Sequence, residues 1–257
     1  MKILLVRHAE PDYAIDSLTP KGRIEAELLS LRLSKLTDVE GVYCSPLGRA
    51  QDTARYTLEK TGWTCETLPW LREFYGKAFD AEKGQPCKTW DYAPRMWQSH
   101  PLFFTRDWMK DPLYALGTVG QVWEETCQGL DAMLARHGFF REGPIYRCEN
   151  NRQRTLILFC HFGIAMAMMA HLTEIPLPLL WQGMLMPPSS VTTLITEERT
   201  KGEVFFRCMG LGDIGHLDAA GEPFSTAGLY PEVYTGWDST YPEGLEEALQ
   251  AAREKTE

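Results

Sequence analysis

The chain has 257 residues, of which 44% are hydrophobic and 24% are charged, and its formal net charge is −9. This composition is ordinary for a soluble globular protein with one large domain, and the acidic balance argues against a nucleic-acid partner. No stretch approaches the roughly 18 consecutive apolar residues of a membrane helix, which argues against a membrane partner as well.

The cysteines and the first residues bear on the compartment in which the protein works. Seven cysteines are present, an odd number, and no CxxC pair occurs. This pattern indicates reduced thiols rather than a disulfide framework or a zinc site. The chain begins directly with a predicted strand instead of the charged segment, apolar run and small-residue cleavage site of a secretion signal. We therefore expect a cytoplasmic protein.

Predicted strands and helices alternate along the first part of the chain. Ile3–Val6 is a short aliphatic run without alternation, which is typical of a fully buried strand. Thr19 and Pro20 form a favourable N-cap and first-turn pair for the helix that follows. The next predicted elements are a helix at Gly22–Leu36, a strand at Gly41–Cys44, a helix at Gly48–Thr61 and a strand at Cys65–Leu68.

The regular pattern breaks up between Phe74 and Val119, where turn residues separate short, aromatic-rich pieces. We call residues 74–119 the lid and expect them to be an insertion. Residues 138–153 are predicted to be irregular, polar and exposed. The other predicted elements are helices at Gln121–His137 and Gly163–Leu172, strands at Thr155–Cys160, Val191–Glu197 and Val204–Met209, and an amphipathic helix from Pro242 onward.

The alternation predicts an α/β fold, a three-layer α/β/α sandwich with a mostly parallel central sheet covered by helices on both faces. We expect a single domain over residues 1–257 that carries the lid and a C-terminal extension at residues 218–257. The sequence leaves open whether the chain forms a homo-oligomer.

Polar side chains follow three of the predicted strands. Arg7 and His8 come after the first strand, His161 comes after Thr155–Cys160, and Ser45 follows another strand with Arg49 one helical turn later. Taken alone, each has a structural explanation at least as good as a functional one. Because parallel strands end at the same edge of a sheet, we expect these side chains to lie close together. Guanidinium and imidazole groups together would form an electropositive pocket that suits phosphate oxygens.

Five segments of the sequence resemble, in order, the motifs of the histidine phosphatase superfamily, which includes the cofactor-dependent phosphoglycerate mutases. They are Arg7–Glu10 (RHAE), Ser45–Ala54 (SPLGRAQDTA), Leu71–Gly76 (LREFYG), Phe159–Gly163 (FCHFG) and Gly212–Leu217 (GDIGHL). One such match is weak, but five in order over nearly all of residues 1–217 are specific. The resemblance implies a phosphoglycerate mutase-like fold.

The resemblance also implies a mechanism. His8 would attack a phosphate monoester and form a phosphohistidine that water then hydrolyses, with His161 as the second catalytic histidine. Glu73 would protonate the leaving oxygen and afterwards activate the water. The groups implied to bind the phosphate are the side chains of Arg7, Arg49 and His161 and the backbone N–H of Phe162. No metal ion or other cofactor is expected, because the arginines supply the positive charge.

The sequence departs from the family pattern at four positions near the site. Ala9 stands where glycine is usual, and Pro11 and Ala14 replace a threonine and an asparagine, which puts one phosphate contact of the family in question. Phe162 replaces a glycine beside the second histidine, where its ring would narrow the pocket or stack on a substrate. Outside the motifs, His100, His137 and His171 are expected to be ordinary. His216, within the last motif, is expected to be a structural residue that caps or bridges the closing loop.

The lid separates the alternative functions. It carries many aromatic residues and a near balance of acidic and basic ones, without the basic cluster of the mutase lids. These aromatic side chains form either a small additional core or a surface for an apolar or planar leaving group. We therefore expect a metal-independent phosphatase acting on small phosphate monoesters. A phosphoglycerate mutase is the alternative, and a weakly catalytic phospholigand-binding protein is the alternative of another class.

Overall fold

The computed structural model describes residues 1–81, 83–230 and 232–233. The strands are β1 (Lys2–Arg7), β2 (Pro11–Asp12), β3 (Ser17–Leu18), β4 (Val39–Cys44), β5 (Glu66–Thr67), β6 (Ala78–Asp80), β7 (Gln85–Cys87), β8 (Phe140–Glu142), β9 (Ile145–Arg147), β10 (Thr155–Cys160), β11 (Val191–Thr200) and β12 (Glu203–Asp213). The α-helices are α1 (Pro20–Leu33), α2 (Gly48–Thr61), α3 (Pro94–Gln98), α4 (Pro112–Ala115), α5 (Val119–Arg136), α6 (Phe162–Thr173), α7 (Leu177–Gly183) and α8 (Gly215–Asp218). Short 3₁₀ helices occur at Pro69–Leu71, Pro101–Phe104 and Trp108–Lys110.

Eight strands form one central sheet in the order β5-β4-β10-β1-β11-β12-β9-β8. The first four of these strands are parallel, and β11, β12, β9 and β8 continue the sheet in antiparallel pairings. Arg7 pairs with Cys160, and Phe159 pairs with Cys44. Because β1, β4 and β10 end level with one another, the residues that follow them meet at one edge of the sheet, as the sequence predicts.

Helices cover both faces of the sheet, which confirms the predicted α/β fold. Alternate residues of β1 point to opposite faces, since Leu4 and Val6 pack with Leu29 of α1 and Ala54 of α2. Ile3 and Leu5 instead lie in the cluster that contains residues of α5, α6 and α7. The predicted N-cap of α1 is also present, because the Thr19 side chain accepts the N–H of Gly22 at 3.0 Å. Among the described residues, no helix is both long and apolar enough to cross a membrane.

Two parts of the fold differ from the sequence-based prediction. The expected irregular stretch at residues 138–153 instead contains the β8–β9 hairpin, which extends the sheet beyond β12. Tyr146 of this hairpin is buried against the Phe206 ring, with a centroid separation of 5.3 Å. Helix α7 was not predicted, because its short sequence contains a proline at an early helical position and lacks a clear apolar period.

The lid contains the β6–β7 hairpin, α3, α4 and two of the 3₁₀ helices. Three of its aromatic side chains, Phe103, Trp108 and Tyr114, are buried in the main core together with Trp181. These three side chains of the lid therefore stabilise the fold. The chain divides after Ser225, and only a few residues beyond that point are described. The amphipathic helix predicted from Pro242 onward lies outside the described residues.

Candidate active site

His8 follows β1 directly and is almost completely buried, with 2% of its surface exposed. Its Nδ1 lies 2.8 Å from the backbone carbonyl oxygen of Ala9, so Nδ1 carries the proton and donates it to that oxygen. Burial and the neighbouring Arg7 charge hold the pKa of His8 well below its usual value. The imidazole is therefore neutral, and its Nε2 lone pair is available to act as a nucleophile.

A turn at Ser189 and Ser190, which are distant from His8 in sequence, holds the backbone around His8. The N–H of Ser189 donates to the carbonyl oxygen of His8 at 3.0 Å, and the N–H of Arg7 donates to the carbonyl oxygen of Ser190 at 3.1 Å. Ser189 has a φ of 61°, a left-handed conformation that is uncommon outside glycine. Its hydroxyl lies 3.1 Å from Nε2 of His216, which agrees with the bridging role expected for that histidine. Sequence reasoning missed Ser189 and Ser190.

Arg7 is the last residue of β1, and it is also buried. One of its terminal nitrogens donates to the carbonyl oxygen of Met186. Its Nε has no hydrogen-bond partner among the described residues. Desolvation lowers the pKa of Arg7, although a guanidinium keeps its proton at any physiological pH. The buried Nε–H is a donor suited to an oxyanion.

Arg49 lies in the first turn of α2 and is held by an acidic residue that sequence reasoning missed. Asp16 accepts from a terminal nitrogen of Arg49 at 2.5 Å and from the N–H of Gly48 at 2.7 Å. Partial desolvation acts to raise the pKa of Asp16, but these two hydrogen bonds and the positive charge of Arg49 lower it overall. A Cβ atom at Gly48 would lie 2.1 Å from the Asp16 carbonyl oxygen, so this close approach requires glycine.

His161 follows β10 and faces His8, with 5.0 Å between the ring centroids. Its Nε2 forms a 2.7 Å hydrogen bond with the hydroxyl of Ser45, the residue that follows β4. Its Nδ1 is buried and has no hydrogen-bond partner among the described residues. Desolvation, His8 and Arg49 hold the pKa of His161 well below its usual value.

Glu73 is anchored to the helix that carries the second histidine motif. One carboxyl oxygen, Oε1, accepts the N–H of Phe74 at 2.8 Å and the N–H of Ile164, in the first turn of α6, at 3.0 Å. Burial raises the pKa of Glu73, while these N–H groups and the Arg7 charge oppose the shift. A Cβ atom at Gly163 would lie 2.8 Å from this oxygen, which explains the glycine of the FCHFG segment.

Phe162 is the first residue of α6, where backbone N–H groups have no partner within the helix. Its side chain packs edge-on against Trp90 of the lid, with 6.2 Å between the ring centroids. The ring therefore lies at the boundary between the second histidine motif and the lid. The phosphate contact predicted for the Phe162 N–H stays a prediction.

The structure brings together the side chains that follow the three parallel strands, and Glu73 joins them through α6. Their mutual electrostatic effects are consistent with this proximity, since Arg7 acts on the pKa values of His8, His161 and Glu73. In the described part of the chain, no three His, Cys, Asp or Glu side chains are arranged to hold a metal ion.

The chain belongs to branch 1 of the histidine phosphatase superfamily, whose family model matches residues 3–207. It is 27% identical over 190 residues to the adenosylcobalamin/α-ribazole phosphatase of Salmonella typhi, in a match that covers 70% of this chain and 84% of that protein. Among solved structures it resembles an Entamoeba histolytica phosphoserine phosphatase mutant, with a TM-score of 0.56, 16% identity and coverage of 84% of this chain and 98% of that one. A mycobacterial glucosyl-3-phosphoglycerate phosphatase has a TM-score of 0.54, 20% identity and coverage of 82% and 98%. These structural likenesses concern the fold.

Proposed function

We propose that the protein is a metal-independent phosphatase that hydrolyses small phosphate monoesters through a phosphohistidine on His8. The observation that carries this proposal is the hydrogen bond from Nδ1 of His8 to the Ala9 carbonyl oxygen. It sets the tautomer of a buried, neutral imidazole and directs the Nε2 lone pair away from the backbone. His161 faces this imidazole and the charges of Arg7 and Arg49 act on it, so these three side chains are available to donate hydrogen bonds to phosphoryl oxygens.

In the first step, Nε2 of His8 attacks phosphorus in line as the bond to the leaving oxygen breaks. The proton of the Glu73 carboxyl group goes to that oxygen, so the product leaves as an alcohol. Burial supports this role, because the raised pKa of Glu73 favours its protonated form. Arg7 and Arg49 stabilise the charge that spreads over the phosphoryl oxygens.

In the second step, water attacks phosphohistidine, and Glu73, now a carboxylate, accepts the proton of the water. The nitrogen–phosphorus bond breaks, inorganic phosphate forms and neutral His8 is restored. The anchoring of Glu73 on the first turn of α6 supports both steps, because one carboxyl oxygen is held while the carboxyl group stays beside the second histidine. A protein that only binds phosphorylated ligands has no need of such a proton donor.

The similarity to phosphatases of different substrates supports hydrolysis without specifying the substrate. The relatives act, by their names, on α-ribazole, phosphoserine or glucosyl-3-phosphoglycerate compounds. We therefore expect a panel of phosphate monoesters with these leaving groups to contain a substrate. A mutase would isomerise 3-phosphoglycerate in the presence of a bisphosphoglycerate primer with little release of phosphate.

Rapid quenching tests the covalent step. Nitrophenyl phosphate mixed with the enzyme should give a base-stable, acid-labile phosphoprotein together with a burst of nitrophenolate. The His8→Ala variant should form neither, and EDTA should leave turnover of the wild-type enzyme unchanged. Native turnover by His8→Ala would contradict the assignment of the nucleophile, and loss of activity in EDTA that one divalent ion restores would contradict metal independence.

A further inference from the structure

Four residues of the lid form a segment, Thr89–Tyr92, that we call the strap and that is held by hydrogen bonds at both ends. At one end, the Thr89 hydroxyl donates to the carbonyl oxygen of Gly76, and the Tyr114 hydroxyl donates to the Thr89 carbonyl oxygen at 2.9 Å. At the other end, the Tyr92 N–H donates to the side-chain oxygen of Gln182 on α7 at 3.2 Å. The positions of the two residues between these anchors are therefore determined.

Trp90 brings the strap against the catalytic groups. Its ring packs on Trp181, with 5.4 Å between centroids, and meets the Phe162 ring edge-on. A Cβ atom at Gly163 would lie 2.7 Å from the tip of the Trp90 ring and 2.8 Å from Oε1 of Glu73. The indole thus lies directly beside the carboxyl group that would protonate the leaving oxygen, so the strap borders the side of the site on which a leaving group departs.

Asp91 follows Trp90. Its side chain is exposed and carries the carboxyl group of the strap. Its φ is 62°, a left-handed conformation that aspartate tolerates better than most residues but that is still uncommon. Such conformations persist where the surrounding structure determines them and are frequent at functional sites. Partial desolvation raises the pKa of Asp91, and the charges of Lys88 and Arg7 oppose that shift. Asp91 directly follows Trp90, whose ring lies beside Glu73, so the strap carries the Asp91 carboxyl group at the border of the candidate active site, and the effect of the Arg7 charge is consistent with this position.

We propose that Asp91 is a specificity-determining residue that selects phosphate monoesters by the charge of the leaving group, favouring cationic leaving groups over neutral ones and disfavouring leaving groups that carry a second anion. This inference rests on the proposed function, since it concerns the same site. A carboxylate on the strap attracts an ammonium group by Coulomb forces and repels a carboxylate or a second phosphate. The same repulsion would disfavour a mutase substrate, whose leaving group carries a second anionic end.

Three monoesters of similar size provide the test, because their leaving groups differ mainly in charge: phosphoethanolamine, glycerol 3-phosphate and 3-phosphoglycerate. Their dissociation constants are measured by calorimetry on the His8→Ala variant, which cannot turn them over, and on His8→Ala with Asp91→Asn. Asparagine adopts left-handed backbone conformations as readily as aspartate, so the strap keeps its shape. The control is Asp107→Asn in the same background, since Asp107 is an exposed lid residue paired with Lys110 at 2.7 Å.

We expect the affinity to fall from phosphoethanolamine through glycerol 3-phosphate to 3-phosphoglycerate. Asp91→Asn should reduce the ratio between the first and the last by about tenfold, whereas Asp107→Asn should leave it unchanged. An unchanged ratio in Asp91→Asn, or tighter binding of 3-phosphoglycerate than of phosphoethanolamine before substitution, would overturn the proposal. Turnover of the same compounds by the wild-type enzyme is measured separately. Charge-selective binding without turnover would count against the phosphatase and support the role of Asp91.

Discussion

The groups that handle the phosphoryl group and the strap that borders the leaving group are built in different ways. His8 and His161 follow strands of the central sheet, expose 2% and 0% of their surface, and are held by hydrogen bonds to other elements. Trp90 and Asp91 lie in a connecting segment, are partly or largely exposed, and depend on two anchors. The proposed chemistry is therefore built on the sheet, whereas the proposed selectivity lies on a segment that can change without moving the sheet.

The largest expected effect follows from Glu73→Gln, which removes the proposed proton donor, a residue that lies between α6 and the Trp90 ring of the strap. Glutamine still accepts hydrogen bonds through its amide oxygen, so the local fold should persist. We expect kcat/KM for an alkyl phosphate to fall by about 10²- to 10⁴-fold, the usual range for general acid catalysis. With nitrophenyl phosphate the loss should be much smaller, because nitrophenolate leaves without a proton. Equal losses for both substrates would contradict the proton-donor role.

The same substitution should change the pH profile. The pKa of Glu73 is raised above its usual value by burial, and the acid form is the one that donates. The rate with alkyl phosphates should therefore fall as the pH rises through this raised pKa. In the Glu73→Gln variant, kcat measured from acidic to neutral pH should no longer show this fall. Persistence of the fall in the variant would assign it to another group.

A second prediction concerns the turn behind His8 and the pH dependence of stability. Burial lowers the pKa of His216 from 6.5 to about 4. Because the folded-state pKa is the lower one, the unfolded chain binds more protons between these values, and stability falls as the pH decreases from about 6.5 towards 4. After a discount for solvent screening, we expect His216 to account for about 2 kcal/mol of this loss.

Urea unfolding at neutral pH and near pH 5 measures this contribution. The His216→Asn variant can still hydrogen-bond with Ser189, but its side chain does not titrate, so it should lose less stability between the two pH values than the wild-type protein. His8 and His161 have pKa values lowered in the same direction and remain in both proteins, so the difference isolates His216. An identical pH dependence in the two proteins would show that the protonation of His216 is not linked to unfolding.

Ser45→Ala should have a smaller effect on activity, exerted through His161, one of the groups proposed to bind the phosphate. It removes the hydroxyl that holds His161 and leaves Nε2 of a buried imidazole without its partner. We expect a loss of about 1–3 kcal/mol in transition-state stabilisation, measured as kcat/KM with nitrophenyl phosphate. Ser30→Ala is the matched control, because Ser30 is also buried but its hydroxyl donates within α1 to the Glu27 carbonyl oxygen at 2.7 Å. A similar loss of activity in both variants would indicate a general effect on folding.

The smallest effect should follow from loosening one anchor of the strap. Tyr114→Phe removes the hydroxyl that donates to the Thr89 carbonyl oxygen and leaves the buried aromatic ring in place. We expect the free energy of unfolding to decrease by about 1 kcal/mol. Turnover of nitrophenyl phosphate at saturation should change by less than about twofold, because no phosphate-binding group moves. A loss of turnover as large as that of Ser45→Ala would show that the two regions are not separable.

Local patterns in the sequence predicted the parts of the fold and site that depend on local chain geometry. The aliphatic runs before Arg7 and His161 identified β1 and β10, and the bounds of α2 agree with the predicted Gly48–Thr61. The hairpin at β8 and β9 was missed because two short strands with polar outer residues produce no clear period of two. Their pairing depends on β12, which lies more than 50 residues away in the chain.

The sequence alone predicted the fold class and, through five motifs in order, the family. It also predicted that Arg7, His8 and His161 come at the ends of buried strands, because strands buried on both faces leave a strong local signal, while the phosphate-handling role of these side chains stays a proposal. The hydrogen-bond partners and the neighbours of these side chains became known only from the tertiary structure. Two contacts join residues that are far apart in the chain: the Asp16–Arg49 ion pair and the hydrogen bond from Ser189 to His8. The position of Asp91 is set by the hydrogen bonds at the ends of the strap. Hydrogen-bond partners and charges at such distances are selected by packing, which no local period in the sequence records.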